Sequence, residues 1–160
     1  MQRITLICVG TLKEQYLRDA FSEYSKRLSG YCNLSILEIS EYKLPQNPSE
    51  KQILSGLEKE GEKIIAQIPG TAIVIPLCIE GKMLSSADLS SRISQLLVMG
   101  ASNICFIIGG SYGLSDAVKS LGNFKLSMSR MTFPHQLARI MLAEQIYRCF
   151  KISNHESYHK

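Results

Sequence analysis

Apolar and polar residues follow two different periods along the chain, one typical of strands and one typical of helices. Short β-branched runs such as residues 3–9 have the length of a strand, whereas residues 12–28 repeat their apolar side chains every three or four positions. The pattern predicts strands over residues 3–9, 34–39, 71–77, 103–108 and 124–127, and helices over residues 12–28, 50–67, 86–99, 115–120 and 134–152.

Residues with special backbone or capping chemistry mark the ends of several elements. Ser49 has the side chain of a helix N-cap, and Ser85 with Asp88 has the spacing of a capping box. Pro76 has no backbone N–H to donate, so it predicts an end or an edge of the third strand. Residues 41–50 are polar and contain two prolines, which predicts a loop after the second strand.

Strands and helices alternate throughout, which predicts an α/β fold with a mainly parallel sheet and helices on both faces. The chain shows no linker and no internal repeat, so residues 1–160 are predicted to form a single domain. In open sheets of this kind, ligands bind at the carboxyl ends of the strands. The loops that follow Leu77, Ile108 and Ser127 are therefore the predicted location of a binding site.

The composition is that of an ordinary globular protein, with 45% hydrophobic and 20% charged residues. No apolar run approaches the roughly 18 residues needed to span a bilayer, and the first ten residues lack the architecture of a signal peptide. Five cysteines are scattered without CxxC spacing. This pattern predicts buried free thiols, a reducing cytoplasm and no metal site.

Charge is unevenly distributed between the two parts of the chain. Residues 1–118 carry 11 Lys and Arg against 12 Asp and Glu, whereas residues 119–160 carry 7 against 2 and hold all three histidines. Such asymmetry suggests an acidic partner for the C-terminal part, with nucleic acid as the leading candidate. A solvated basic face explains the same charges equally well.

The segment FIIGGSYG, residues 106–113, ends an apolar run in two adjacent glycines. Gly109 and Gly110 let a ligand approach the backbone closely, and a tight strand-to-helix turn is the plainer explanation. The first strand lacks the G-x-G-x-x-G fingerprint of dinucleotide folds, and Gly81-Lys82 is not preceded by the first glycine of a P-loop. A nucleotide- or flavin-binding oxidoreductase is therefore a disfavoured alternative.

The last predicted helix is apolar over more than one stripe of its surface. A helix of this kind is buried on more than one side, which suggests packing on the sheet and against a second subunit. His135 with Arg139, and Glu144 with Arg148, have the spacing of i,i+4 pairs. The apolar residues concerned are Leu137, Ile140, Met141, Leu142, Ile146, Tyr147 and Phe150.

Three segments together resemble a known family: FIIGGSYGL, LSMSRMTFPHQLARIMLAEQIYRCFKI and the terminal YHK. The chain is similar over its whole length to the bacterial large-subunit ribosomal RNA pseudouridine N3-methyltransferases, which are small members of the SPOUT superfamily. The resemblance implies a C-terminal trefoil knot, S-adenosylmethionine as cofactor and a homodimer. As substrate it implies a pseudouridine of the helix 69 stem-loop in 23S rRNA, methylated at N3 within the assembled 70S ribosome.

The resemblance also implies a cofactor contact in each of the three loops identified from the strand ends. For catalysis it suggests the C-terminal tail, reaching across the dimer, and one residue of the third loop as a base or as a stabiliser of the anion formed at N3. Cys78 stands where the family often has an acid. The implied cofactor residues are Leu77, Gly109, Gly110, Met128, Ser129, Arg130, Met131, Thr132 and Phe133, and the catalytic candidates are His159, Tyr158, His155 and Arg130.

Besides the methyltransferase and the oxidoreductase, a third hypothesis is that the protein is a non-enzymatic, ribosome-associated RNA-binding factor. It would use only the basic C-terminal part of the chain. It predicts RNA or ribosome binding without any need for a cofactor. Binding of S-adenosylmethionine therefore separates it from the methyltransferase, and binding of NAD or flavin identifies the oxidoreductase.

Overall fold

Strands and helices alternate in the computed structural model, which describes every residue from Met1 to Lys160. No helix in it combines the length and the apolar character that crossing a membrane requires. The strands are β1 (Gln2–Val9), β2 (Cys32–Ile39), β3 (Ile73–Met83), β4 (Asn103–Ile108) and β5 (Leu126–Ser127), and the helices are α1 (Gln15–Leu28), α2 (Glu50–Gln67), α3 (Ser86–Val98), α4 (Asp116–Ser120) and α5 (His135–Ser153).

The five strands form one parallel sheet in the order β2-β1-β4-β3-β5. Alternate side chains of β1 and β4 enter two separate hydrophobic cores, as strand geometry requires. Leu6 and Phe106 belong to the core formed with α1, α3 and α5, whereas Ile7 and Ile107 belong to the core formed with α2 and α4. The predicted α/β fold with helices on both faces is confirmed.

β3 runs beyond Leu77, where the sequence predicted its end, and continues to Met83. Pro76 lies inside this strand, opposite Ile107 of β4. The N–H of Val74 donates to the Asn123 side chain at 2.9 Å, and the carbonyl of Val74 accepts from the N–H of Asn123 at 2.8 Å, so both groups point away from β4. The backbone nitrogen of Pro76, two residues further along the strand, points in the same direction. The missing N–H of Pro76 therefore costs no bond to β4, and the predicted edge position is correct at this point.

The second half of β3 pairs with the short strand β5 through a bulge between Leu77 and Lys82. Gly81 makes this possible because it has no side chain at the point of contact. An ideal Cβ on Gly81 would lie 2.7 Å from the carbonyl carbon of Leu126 and 2.9 Å from the backbone nitrogen of Ser127. As a result, the chain leaves β5 beside the carboxyl ends of β3 and β4.

Most helix ends follow the capping chemistry of the sequence. Ser49 and Gln52 form a complete capping box, with bonds of 3.2 and 2.9 Å. The hydroxyl of Ser85 caps α3 by accepting from the N–H of Asp88. The Asp88 carboxylate accepts from the Ser85 hydroxyl and not from the Ser85 N–H, so the capping box is incomplete. α1 begins at Gln15, later than the predicted residue 12, because the preceding loop turns to contact the start of α5.

A buried arginine ties α5 to the ends of β1 and β2. Arg139 is only 3% exposed, and its guanidinium donates to the Glu38 carboxylate at 2.8 Å and to the Gly10 carbonyl at 3.1 Å. The expected pair of Arg139 with His135 is therefore wrong, because the sheet supplies stronger acceptors. The start of α5 is held against the carboxyl edge of the sheet as a consequence.

Replacing Gly81 with alanine is expected to destabilise the fold by about 1–3 kcal/mol, because the new methyl group overlaps the backbone of β5. Urea denaturation of both proteins measures this difference. Gly70→Ala is the matched control, since a Cβ at this position would meet no neighbouring atom within 4 Å, and it should change stability by less than about 0.5 kcal/mol. Equal stability of the two variants would contradict the proposed close approach.

Candidate functional site

A cavity of about 830 Å³ opens at the carboxyl ends of β4 and β5, beside the middle of β3, and we call it the main cavity. The three segments predicted from the strand ends meet here, but residues 78–80 continue β3 and do not form the loop predicted after Leu77. Parallel strands bring this about because their carboxyl ends lie on one edge of the sheet. The lining consists of residues 77–80, 108–114, 127–129 and 131–135, with Lys119 and Ala138.

The main cavity gathers nearly all of the residues that the family resemblance implies for the cofactor. Arg130 is the exception, because its exposed side chain lies on the same segment but does not line the cavity. His135, at the start of α5, lines the cavity although no cofactor role was predicted for it. The residues that do line it as predicted are Leu77, Gly109, Gly110, Met128, Ser129, Met131, Thr132 and Phe133.

The glycine turn after β4 is tightly closed on itself. The N–H of Gly113 donates to the carbonyl of Gly110 at 3.1 Å, and Gly113 has a positive φ of 86°. A Cβ on Gly109 would overlap the Gly113 carbonyl group, so the turn requires a glycine there. The missing side chain of Gly109 therefore makes room for the closed turn itself.

The loop after β2 supports the glycine turn from outside the main cavity. The Ser111 hydroxyl donates to the Glu41 carboxylate at 3.4 Å, and the N–H of Tyr42 donates to the Glu60 carboxylate at 2.8 Å. Glu60 is buried, and burial raises the pKa of its carboxyl group. No sequence pattern indicates this support, because α2 and the loop lie far from the glycine turn along the chain.

Two serines shape the segment that runs from β5 to α5. The hydroxyl of buried Ser127 donates to the carbonyl of Ser129 at 3.1 Å. The Ser129 hydroxyl in turn accepts from the N–H of Met131 at 2.9 Å. These local bonds turn the backbone along the cavity wall, so the segment offers main-chain groups and apolar side chains to a ligand.

Formal charges at the main cavity are confined to its rim. The Lys119 ammonium and the Glu80 carboxylate form an ion pair at 2.5 Å. Burial, together with the nearby Glu80 charge, raises the pKa of the Cys78 thiol, so it is neutral at neutral pH. Cys78 therefore presents an uncharged side chain at the position where the family often has an acid.

The C-terminal tail lies away from the main cavity of its own chain. The Tyr158 hydroxyl donates to the Glu144 carboxylate at 3.1 Å, and the Arg148 guanidinium lies 3.3 Å from Nδ1 of His159. The predicted pair of Glu144 and Arg148 is confirmed at 2.6 Å. Glu144 and Arg148 come six and ten positions after cavity residue Ala138, which corresponds to about 9 and 15 Å along the helix.

The other two catalytic candidates, His155 and Arg130, lie apart from Tyr158 and His159. Burial and the bond to Glu144 raise the pKa of the Tyr158 hydroxyl, which is therefore a neutral donor. His155 is exposed in the turn after α5, and Arg130 is exposed beside the main cavity. Within one chain, His159 and Tyr158 come together, but neither of them meets Arg130.

A second depression of about 430 Å³, which we call the α5 groove, borders the main cavity and shares Ser127 and Met128 with it. Residues of three helices face it, namely Tyr24 of α1, Leu89 of α3 and Met141 of α5. Seven of its twelve lining residues are hydrophobic. The structure thus places an apolar surface of α5 next to the predicted cofactor loop.

Comparison with known proteins identifies the family. A family model described as "Predicted SPOUT methyltransferase" matches residues 2–159. A protein of Clostridium botulinum (strain Alaska E43 / Type E3), named Ribosomal RNA large subunit methyltransferase H, is 56% identical over 157 residues, which cover 98% of this chain and 99% of that protein. A protein of the same name from Bacillus pumilus (strain SAFR-032) is 50% identical over 157 residues, with the same coverage of 98% and 99%.

Comparison of structures agrees at the level of the fold. A solved structure, described as that of a probable methylase family protein from Haemophilus influenzae Rd KW20, superposes with a TM-score of 0.57 at 11% identity, over 99% of this chain and 71% of that one. The resemblance carried by the glycine turn, the last helix and the terminal YHK is thereby confirmed, and the chain belongs to the SPOUT methyltransferase family.

Proposed function

We propose that this protein transfers a methyl group from S-adenosylmethionine to N3 of a pseudouridine in the helix 69 stem-loop of 23S rRNA, on the assembled 70S ribosome in the cytoplasm. Relatives named for methylation of the large ribosomal subunit match nearly the whole chain and support an rRNA substrate. The observation that carries the proposal is the convergence of three separate segments on the main cavity, the middle of β3 and the loops after β4 and β5.

The main cavity fits S-adenosylmethionine in size and chemistry. Its volume of about 830 Å³ lies within the roughly 300–1,000 Å³ typical of small-molecule sites. Leu77, Met128 and Phe133 offer apolar walls for an adenine ring, and Gly109 and Gly110 contribute main-chain groups to the cavity wall. When bound there, S-adenosylmethionine supplies an electrophilic methyl group on a positively charged sulfur.

The target nitrogen is the difficult partner in this reaction. N3 of pseudouridine is an imide nitrogen that keeps its proton at neutral pH, so that proton must leave as the nitrogen–carbon bond forms. We assign His159 as the candidate acceptor of the proton, with Tyr158 orienting the base or stabilising the developing charge. Arg130, exposed beside the cavity, is suited to stabilise the same anion or a neighbouring phosphate.

A homodimer brings these groups together. Within one chain the tail is held at Glu144 and Arg148, about 9 and 15 Å along α5 from cavity residue Ala138, so we expect a second chain to deliver it. Antiparallel contact between two α5 helices, seated in the α5 groove, would place each tail near the partner's cavity. Seven of the twelve residues that line the groove are hydrophobic, and Leu137 on α5 is 39% exposed in the single chain, which supports such an interface.

The proposed reaction predicts labelled methyl transfer from S-adenosylmethionine to 70S ribosomes that lack this methyl group. Label should map to N3 of a pseudouridine, and ribosomes without prior pseudouridylation should take up far less. If the protein binds S-adenosylmethionine but no label appears on rRNA, the proposed substrate is wrong. Failure to bind S-adenosylmethionine would instead favour the non-enzymatic RNA-binding factor.

Replacing Gly109 with valine is expected to abolish cofactor binding, because the side chain overlaps the Gly113 carbonyl and deforms the turn that lines the cavity. Calorimetric titration with S-adenosylmethionine measures the loss, and circular dichroism verifies that the variant is folded. Gly70→Val serves as control, because this residue is open to solvent and lies outside the cavity. An unchanged affinity in the folded Gly109 variant would rule out the assigned pocket.

Exchange of tails between subunits can be tested by mixing two inactive variants, Gly109→Val and His159→Ala. If each cavity uses its partner's tail, a mixed dimer contains one intact site, and random mixing should restore about a quarter of the wild-type rate. Methyl transfer is measured after subunit exchange under mild denaturant. No recovery, in a mixture shown to contain heterodimers, would mean that the tail serves its own chain, and full activity of His159→Ala alone would remove the catalytic role of His159.

A further inference from the structure

Three lysines from separate segments converge at the rim of the main cavity. Lys82 lies in the second half of β3, Lys119 in α4 and Lys125 just before β5. The N–H of Lys82 donates to the carbonyl of Lys125 at 2.9 Å, which makes these two residues neighbours across the β3–β5 pair. Lys119 itself lines the main cavity. We call this set the lysine rim.

Most of the positive charge of the lysine rim is not neutralised within the chain. Lys82 and Lys125 are exposed, and neither takes part in a salt bridge. Glu80 pairs with Lys119, and the hydrogen bond from Lys119 is the main cause that lowers the pKa of the Glu80 carboxyl, with the charge of Lys125 contributing. The positive field of Lys119 and Lys125 also reaches Cys78 inside the cavity.

We propose that the lysine rim binds the phosphate backbone of the RNA strand that delivers the target nucleotide to the main cavity. The inference rests on the proposed function, since it assumes an RNA substrate for this cavity. A ribose-phosphate chain passing the cavity carries one negative charge per nucleotide, so it offers several anions to these separate cations, whereas the cofactor offers a single carboxylate.

Glu80 has a defined role in this arrangement. It occupies the Lys119 ammonium when no RNA is bound, so a phosphate has to displace a carboxylate before it can bind Lys119. Glu80 therefore weakens RNA binding at the rim. Removing its charge should strengthen the complex, which is an unusual direction for a substitution beside a binding site.

The test compares variants for binding to a helix 69 stem-loop RNA that contains pseudouridine, over a series of salt concentrations. The paired variant Lys82→Gln with Lys125→Gln should bind more weakly, and the slope of log K against log salt should fall by roughly 0.7–0.9 for each phosphate that the variant no longer neutralises. Glu80→Gln should bind more tightly than wild type, with a steeper slope. The affinity for S-adenosylmethionine should stay unchanged in the lysine variant.

The matched control is the pair Lys51→Gln with Lys59→Gln, two exposed lysines on α2, which packs on the other core of the sheet. The control removes the same charge. Its slope should differ from the wild-type slope by less than roughly 0.7–0.9, which is the change expected for one phosphate. Equal effects of the rim and control pairs would overturn the inference, because they would show a general charge effect. A weaker affinity for S-adenosylmethionine with an unchanged RNA slope would overturn it too, and would assign the rim to the cofactor.

These outcomes separate the inference from the proposed function. If wild-type protein binds the RNA but transfers no methyl group, the slope still decides whether the rim binds phosphates. If ribosomes are methylated normally by the lysine-pair variant at all salt concentrations, the function stands and the rim assignment fails.

Discussion

The pairing of β5 with the second half of β3 is the contact on which the site depends. β5 has only two residues, so it has few hydrogen bonds of its own, and it is held because Gly81 lets its backbone come close. The segment 128–135 starts where this pairing ends. Since that segment forms one wall of the main cavity and leads into α5, the bulge in β3 determines where both of them lie.

A buried charge holds the opposite end of the same segment. Arg139 is surrounded by the carbonyl of Gly10, the Glu38 carboxylate and the thiol of Cys8. Burial raises the pKa of the Cys8 thiol to about 11. The thiol is therefore neutral, and Glu38 is the counter-charge of the guanidinium. Burial of an arginine is costly unless its bonds are satisfied, and Glu38 offsets part of that cost while remaining partly hydrated. Residues 128–135 are thus anchored on both sides.

The distribution of charge around the site agrees with methyl transfer from a cationic donor. The interior offers apolar side chains, backbone groups and a neutral thiol, whereas Lys119 and Glu80 stand at the rim. A neutral interior orients a ligand without binding its sulfur too strongly, and alignment supplies much of the rate in such a transfer. His135 is the one histidine that lines the cavity, and the proposed mechanism takes its proton acceptor from the tail.

The sequence alone determined the alternation of strands and helices, most helix caps and the three segments that meet at the cavity, because periodicity and capping are local properties of the chain. The end of β3, the partner of Arg139 and the distance of the tail from the cavity were decided only by the tertiary structure. β3 continues past Leu77 because β5 pairs with it, and Arg139 chooses Glu38 because β2 brings that carboxylate close. Such contacts join residues far apart in sequence, so no local pattern records them.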